Sequence, residues 1–298
     1  MKLLVLSDVD VHSTYLLSEK FVPLEPTFDG ILCCGPFGCS VEEVRSASTE
    51  MENLGISNMS SALAALENIV CRVIYLPSED DPPKVLLEQL HLTPNSVSIY
   101  SRRLALTENL FVTGYTEVSQ RLDSDESSSA PGPLEEDSGD WEELGSQLKV
   151  GQSWASPAEL DIDDILEIGI QKSKEALELI HNSIGESIDP VSLELAEKNR
   201  RGLFVLNYVY AHTLNQFLFQ KSELLQRAGI NICIVNNTLR DDAAWTDRDS
   251  IRMRMPAKLG DISIIIPYSL RRDNKYLEVD LELKAGVWHL TSVQVGQM

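Results

Sequence analysis

Histidine and basic residues are both scarce in this chain. Only five histidines, His12, His91, His181, His212 and His289, are scattered through 298 residues. The 25 Lys and Arg residues stand against 46 Asp and Glu, for a net charge of −21. A field of that sign repels phosphate backbones and anionic lipid, which excludes non-specific binding to nucleic acid or a membrane surface and favours basic partners or metal cations. The five cysteines (Cys33, Cys34, Cys39, Cys71, Cys233) are odd in number, two are adjacent, and none forms a C-x-x-C pair. Neither a disulfide framework nor a zinc site is indicated, so a reducing, cytoplasmic setting is expected. No apolar run approaches the length of a membrane span; stretches such as 262–266 are among the longest, so a soluble protein without membrane insertion is expected. The apolar run after Met1 is four residues long and ends in Ser7-Asp8-Val9-Asp10, which reads as a first strand and not a signal segment. No G-x-x-x-x-G-K-[ST] loop and no G-x-G-x-x-G after a strand is present, so those routes to nucleotide binding are closed.

What remains is ordinary globular material, 43% hydrophobic and 24% charged, in a chain long enough to bury a sizeable core. The first third alternates strand and helix. Residues 2–7, 30–34 and 70–76 are short apolar runs of the kind buried in a sheet. Between the last two, Ser40-Val41-Glu42-Glu43 has capping-box spacing, and Met59, Leu63, Leu66 and Ile69 recur at helical intervals. A short helix to Leu90 is expected after Pro82-Pro83, then strands at 97–100, 104–106 and 110–113.

Residues 121–148 differ in kind. Between Arg121 and Gln147, nine acidic residues and one basic residue mix with Ser, Pro and Gly, too little apolar surface to fold alone. This predicts an acidic, flexible insertion within one domain spanning 1–298. Beyond it the pattern predicts helices from about Asp161 and after Pro190, a strand at 203–209, a helix ending near Ala228 and a strand at 230–235. A strand at 262–266 and a terminal hairpin of 276–283 with 287–295, turning at Lys284-Ala285-Gly286, close the chain.

Three strand ends in the first third carry a resemblance. Leu3-Leu4-Val5-Leu6-Ser7-Asp8-Val9-Asp10, Phe28-Asp29-Gly30-Ile31-Leu32-Cys33-Cys34-Gly35-Pro36 and Val73-Ile74-Tyr75-Leu76-Pro77-Ser78-Glu79-Asp80-Asp81-Pro82 follow the order and spacing of strands in the calcineurin-like metallophosphoesterases. Those strands end in Asp-x-His, Gly-Asp and Gly-Asn-His-Asp. Near the end of the chain, Pro267-Tyr268-Ser269-Leu270-Arg271 is similar to the family's Asn-Pro-Gly-Ser-Leu-Arg turn. The resemblance implies an α/β fold, a two-sheet sandwich flanked by helices. It also implies chemistry at two metal ions about 4 Å apart, held by a bridging carboxylate.

The framing residues match and the ligands mostly do not. The bridging Asp is Pro36, the His of Asp-x-His is Asp10, the metal-binding Asn is Glu79 and the catalytic His is Asp80. The later strand ends that would supply histidines read Asn207-Tyr208 and Asn236-Asn237. An aspartate of ordinary pKa is also a poor proton donor at neutral pH beside a histidine. Asp8, Asp10, Glu79 and Asp81 remain as oxygen ligands suited to one hard divalent cation, Mg²⁺, Mn²⁺ or Ca²⁺.

Each of these residues also has a plainer reading: Asp8 as a turn or cap carboxylate, the 79–81 run as a solvated turn, His12 as an exposed loop residue, Cys33 and Cys34 as packing. Arg102-Arg103, Arg200-Arg201 and Arg271-Arg272 either bind an anion or meet neighbouring carboxylates. Trp141 and Leu144 stand out in the acidic insertion, because an indole there exposes apolar surface unless something covers it. Either they dock on their own domain or they form a partner-docking motif similar to the tryptophan-acidic motifs read by the kinesin light chain. Some relatives in the phosphoesterase family serve as non-catalytic scaffold subunits in trafficking assemblies. The reading that follows is therefore a protein-binding scaffold without cofactor; a hydrolase with a reduced, one-metal site is the alternative.

Overall fold

The computed structural model describes residues 1–22, 27–38, 49–70, 72–82, 84–85, 90, 92–100, 102–107, 109–116, 162–167, 170–171, 201–207, 214–236 and 255–298. The acidic insertion with Trp141 and Leu144, the Ser40 capping box and the helix after Pro190 lie outside these residues.

Alternation of side chains along each strand decides the architecture. In β1 (Lys2–Ser7), Leu3 and Val5 join one buried cluster while Leu4 and Leu6 join another on the opposite face. In β2 (Gly30–Cys34), Leu32 and Cys34 face the first cluster and Ile31 and Cys33 the second. A strand buried on both faces needs a layer on each side. The first cluster is the space between two sheets, where Leu3, Val5 and Leu32 meet Val112, Val205 and Ile234. The second is covered by α1 (Val11–Phe21) and α2 (Thr49–Glu67), through Leu17, Phe21, Met59, Leu63 and Leu66. A third lies on the far face of the other sheet, under α3 (Leu214–Arg227) and a helical stretch at 162–167. The result is two sheets face to face with helices outside both, four layers in all.

The first sheet contains β1, β2, β3 (Val73–Leu76), β4 (Ser96–Ser98), β11 (Lys275–Lys284) and β12 (Val287–Gln297), in the order β12-β11-β1-β2-β3-β4. The second contains β5 (Arg103–Thr107), β6 (Leu110–Thr116), β7 (Arg201–Asn207), β8 (Ile230–Asn236), β9 (Ala257–Leu259) and β10 (Ile262–Ile265), in the order β5-β6-β7-β8-β10-β9. Four strands of the first sheet, β1 to β4, run parallel, as do β6, β7, β8 and β10 of the second; β11, β12, β5 and β9 add antiparallel edges. Ala285 and Gly286, with φ of 50° and 81°, make the two-residue turn of the terminal hairpin.

Several expectations meet the structure closely. Residues 2–7, 30–34 and 262–265 are strands, and Met59, Leu63 and Leu66 are the buried face of α2. Others differ. The strand expected at 203–209 begins earlier, at Arg201, and residues 208 and 209 lie outside those the structure describes. The segment after Asp10 is helix α1, not loop. Asp10 caps it, accepting from Ser13 N at 2.6 Å, and Ser13 Oγ accepts from Asp10 N at 3.0 Å. His12 is exposed on that helix.

Cys33, Cys34 and Cys233 are free thiols packed as core residues. Burial alone pushes Cys34 and Cys233 up to about 12, and it dominates the rise at Cys33. Leu32, fully buried between the sheets, contrasts with Phe219, 70% exposed on α3. Leu32→Ala is expected to cost about 2–5 kcal/mol in urea unfolding. Phe219→Ala should stay within about 0.5 kcal/mol of the parent.

Candidate functional site

Because β1, β2 and β3 run parallel, and β6, β7 and β8 likewise, their carboxyl ends gather at one end of the sandwich. That is where α/β sheets usually carry chemistry. The residues at those ends are Ser7 and Asp8, Gly35 and Pro36, Pro77 and Ser78, Thr116, Asn207 and Asn236.

Their polar atoms are spent on one another across the gap between the sheets. Ser7 Oγ donates to Asn236 Oδ1 at 2.5 Å. Asn236 Nδ2 donates to Gly35 O and, at 3.0 Å, to Asn207 Oδ1. Asn207 Nδ2 donates to Pro77 O at 2.8 Å and to Thr116 Oγ1 at 3.0 Å, and the Thr116 hydroxyl donates to Pro77 O. All four side chains are buried. In a low-dielectric interior an unmet amide or hydroxyl is costly, so a closed neutral network of this kind ties the ends of the two sheets together.

Asp8 stands at the edge of this layer. Its φ of +50° is left-handed, a region Asp tolerates better than most residues. Its Oδ2 accepts from Ser269 Oγ at 2.6 Å and from Arg272 Nε at 3.1 Å. Arg271 lies 3.0 Å from Oδ1 as an ion pair, without the alignment of a hydrogen bond. The Arg271 N–H donates to Asp8 O at 3.0 Å, so main chain and side chain hold the same turn. That turn opens α4 (Leu270–Asp273), whose cap Ser269 accepts from Arg272 N at 2.9 Å. The arginine side chains are 40% and 52% exposed, so solvent screens much of the attraction they exert on the buried carboxylate.

Asp81 holds the other side. Its Oδ1 accepts from Phe37 N at 2.7 Å, and its Oδ2 from Ser78 N at 2.8 Å and Ser78 Oγ at 3.1 Å. These bonds fasten the loop after β2 to the loop after β3. The peptide between Gly35 and Pro36 is cis. A Cβ at Gly35 would stand 2.2 Å from Asp81 Oδ2, so only glycine fits there. Burial pushes the Asp81 carboxyl up to about 7 and a nearby Asp80 adds to the rise, against the opposing pull of the three hydrogen bonds.

The four carboxylates expected to share a cation are thus employed separately. Asp8 meets two arginines, Asp10 caps α1 and Asp81 binds backbone amides. Glu79 is half-buried beside the buried Asp80, and both are engaged by neighbours. Among the described residues no three His, Cys, Asp or Glu side chains converge as ligands. A two-metal centre does not fit this donor set. Pro36 offers no donor atom in its side chain, Asn207 and Asn236 satisfy each other, and the nearest carboxylate already faces two guanidinium groups. Arg271 and Arg272 accordingly meet a carboxylate, the plainer of their two sequence readings. His212 lies outside the described residues, and His289 is exposed on β12.

The sequence located Asn207 and Asn236 as strand ends lacking histidine but not as partners of each other. The available signal was that an amide closes each of two short apolar runs, 203–206 and 232–235, a costly placement unless the amides are paired.

No protein-family model matches the chain, and no curated protein does. Among solved structures it is similar to TT1561 of Thermus thermophilus, with 13% identical residues, a TM-score of 0.48, and 99% of this chain and 98% of that chain covered. A second solved structure shares 10% of residues at a TM-score of 0.49, with the same coverage. Neither likeness bears on function.

Two outcomes follow from the geometry. Asn236→Ala and Asn207→Ala should each destabilise by about 1–3 kcal/mol, and a double-mutant cycle by chemical denaturation should show coupling of more than about 0.5 kcal/mol. For Asp81, the folded chain keeps a proton over the range between 3.8 and about 7 in which the unfolded chain has released it. Raising the pH through that range therefore removes stability. The stability of the parent relative to Asp81→Asn should fall as pH rises from about 4 to 7, read by urea titrations at several pH values. A flat difference would mean Asp81 is ionised throughout.

Proposed function

We propose that this chain is a non-catalytic, metallophosphoesterase-like protein that serves as an interaction scaffold for protein partners. One observation carries the reading: the strand ends that would hold catalytic metals are occupied by a neutral hydrogen-bonded network and by a carboxylate engaged with Arg271 and Arg272. Side chains so placed supply rigidity in the position where a catalyst would keep open ligand sites. The sandwich of two sheets with helices on both outer faces is the architecture the resemblance implies. The net charge of −21 favours partners with basic surfaces, and the Trp141–Leu144 segment is the part of the sequence best suited to docking on one. No helix among the described residues is long and apolar enough to cross a membrane.

The alternative is a metal-dependent phosphoesterase with a reduced site at Asp8, Asp10, Glu79 and Asp81. It requires Asp8 to exchange two guanidinium groups for a cation. Elemental analysis of the purified protein, with nitrophenyl phosphate turnover measured in added Mn²⁺, separates the two readings. The scaffold reading expects less than one bound equivalent and no turnover, and expects Pro36→Asp to leave both unchanged, because one carboxylate cannot build a two-metal site alone. Stoichiometric metal with turnover that is lost in Asp8→Ala would establish the hydrolase instead.

A further inference from the structure

Each sheet has two edges, and three of the four are protected. Strands β4 and β9 are three residues long, and β5 carries Arg103 stacked on Phe111. The fourth edge is β12, eleven residues from Val287 to Gln297 with no Lys, Arg, Asp or Glu and no proline. In a chain that is 24% charged this is unusual, since exposed edges are normally blunted by charge, proline or shortness.

The register shows which backbone groups face outward. Leu281 of β11 exchanges both of its bonds with Met1, at 2.8 Å each, so its cross-strand partner Leu290 turns its own N–H and C=O away from β11. Past the irregularity at Asp280/Leu281, Val279 and Leu277 face β1 in the same way. Their partners Val293 and Val295 therefore also present free backbone groups to the edge. The two ends of the strand are tied down: Asn231 Nδ2 donates to Trp288 O at 3.1 Å, and Lys20 Nζ to Gln297 O at 2.5 Å. Between these ties, β11 is the partner strand of β12 among the described residues.

We propose that β12 pairs antiparallel with β12 of a second copy of this chain, fusing the two six-stranded sheets across a two-fold axis at Gln294. In that register Val293 of one copy exchanges backbone bonds with Val295 of the other. Valine then meets valine on the face continuous with the inter-sheet core, where Val293 already packs and Val295 is 50% exposed. Glutamine meets glutamine on the opposite face. The strand itself selects the occupant: it carries no Lys, Arg, Asp or Glu, so it offers a basic partner nothing to pair with and sets no like charges against each other when it meets its own copy, even though the −21 of each chain repels over the rest of the surface. An isologous contact needs a self-complementary patch, and this strand is one.

Sedimentation velocity over a concentration series tests the pairing. The parent chain is expected to reach dimer mass, and a Thr291→Lys/Gln294→Lys variant, altered at exposed positions, to stay monomeric with unchanged circular dichroism. In a Cys39→Ser/Cys71→Ser background, Gln294→Cys should form a covalent dimer on mild oxidation. A parent that stays monomeric to the limit of solubility overturns the proposal. So does a dimer that survives the two lysines, and so does the absence of a disulfide cross-link in a dimeric sample of the Gln294→Cys variant.

Discussion

Polar atoms that cannot reach water must bond to one another, and this constraint organises the end of the molecule where the parallel strands run out. Apolar side chains hold most of the interface between the sheets, but apolar contact is indifferent to small slides. The Ser7–Asn236–Asn207–Thr116 network is directional, joins the two sheets, and leaves little freedom in how their ends align. Asp81 adds the same kind of constraint within one sheet, fixing the loops after β2 and β3 through backbone amides.

The charge distribution is arranged around that end as well. The chain is strongly acidic, yet two of its arginines are placed at the mouth of the network, on the one buried carboxylate that terminates β1. Without them a buried Asp8 would carry an uncompensated charge. With them, the local environment attracts cations less than the composition of the whole chain suggests. The bulk charge therefore describes the outer surface and not the strand ends.

The fold was legible wherever a short apolar run was bounded by polar residues. Strands β1, β2, β3, β8 and β10 and the terminal hairpin follow directly from period and punctuation, and α2 follows from the spacing of Met59, Leu63 and Leu66. Helix α1 was hidden because Val11, Thr14 and Tyr15 favour strands, while its capping box uses Ser13 in place of the usual Glu or Gln. The adjacent cysteines were legible as packing, but their separation onto opposite faces of one sheet required knowing that β2 is buried on both sides.

What the sequence by itself determined was the alternation of elements, the acidic balance and the residues at each strand end, Pro36, Asp10, Glu79 and Asp80 among them. These depend on local order along the chain, which is read directly. The tertiary structure alone decided that Asn236 bonds to Ser7, 229 positions away, that Asn207 reaches Pro77, and that Asp8 meets arginines 263 and 264 residues later in the chain. The physical reason is that an amide or carboxylate has the same covalent capacity whether it will ligate a metal, cap a helix or bond a neighbour. Only strand order and register bring a particular partner within about 3 Å, the reach of a hydrogen bond, and those are set by how the whole chain buries its apolar faces.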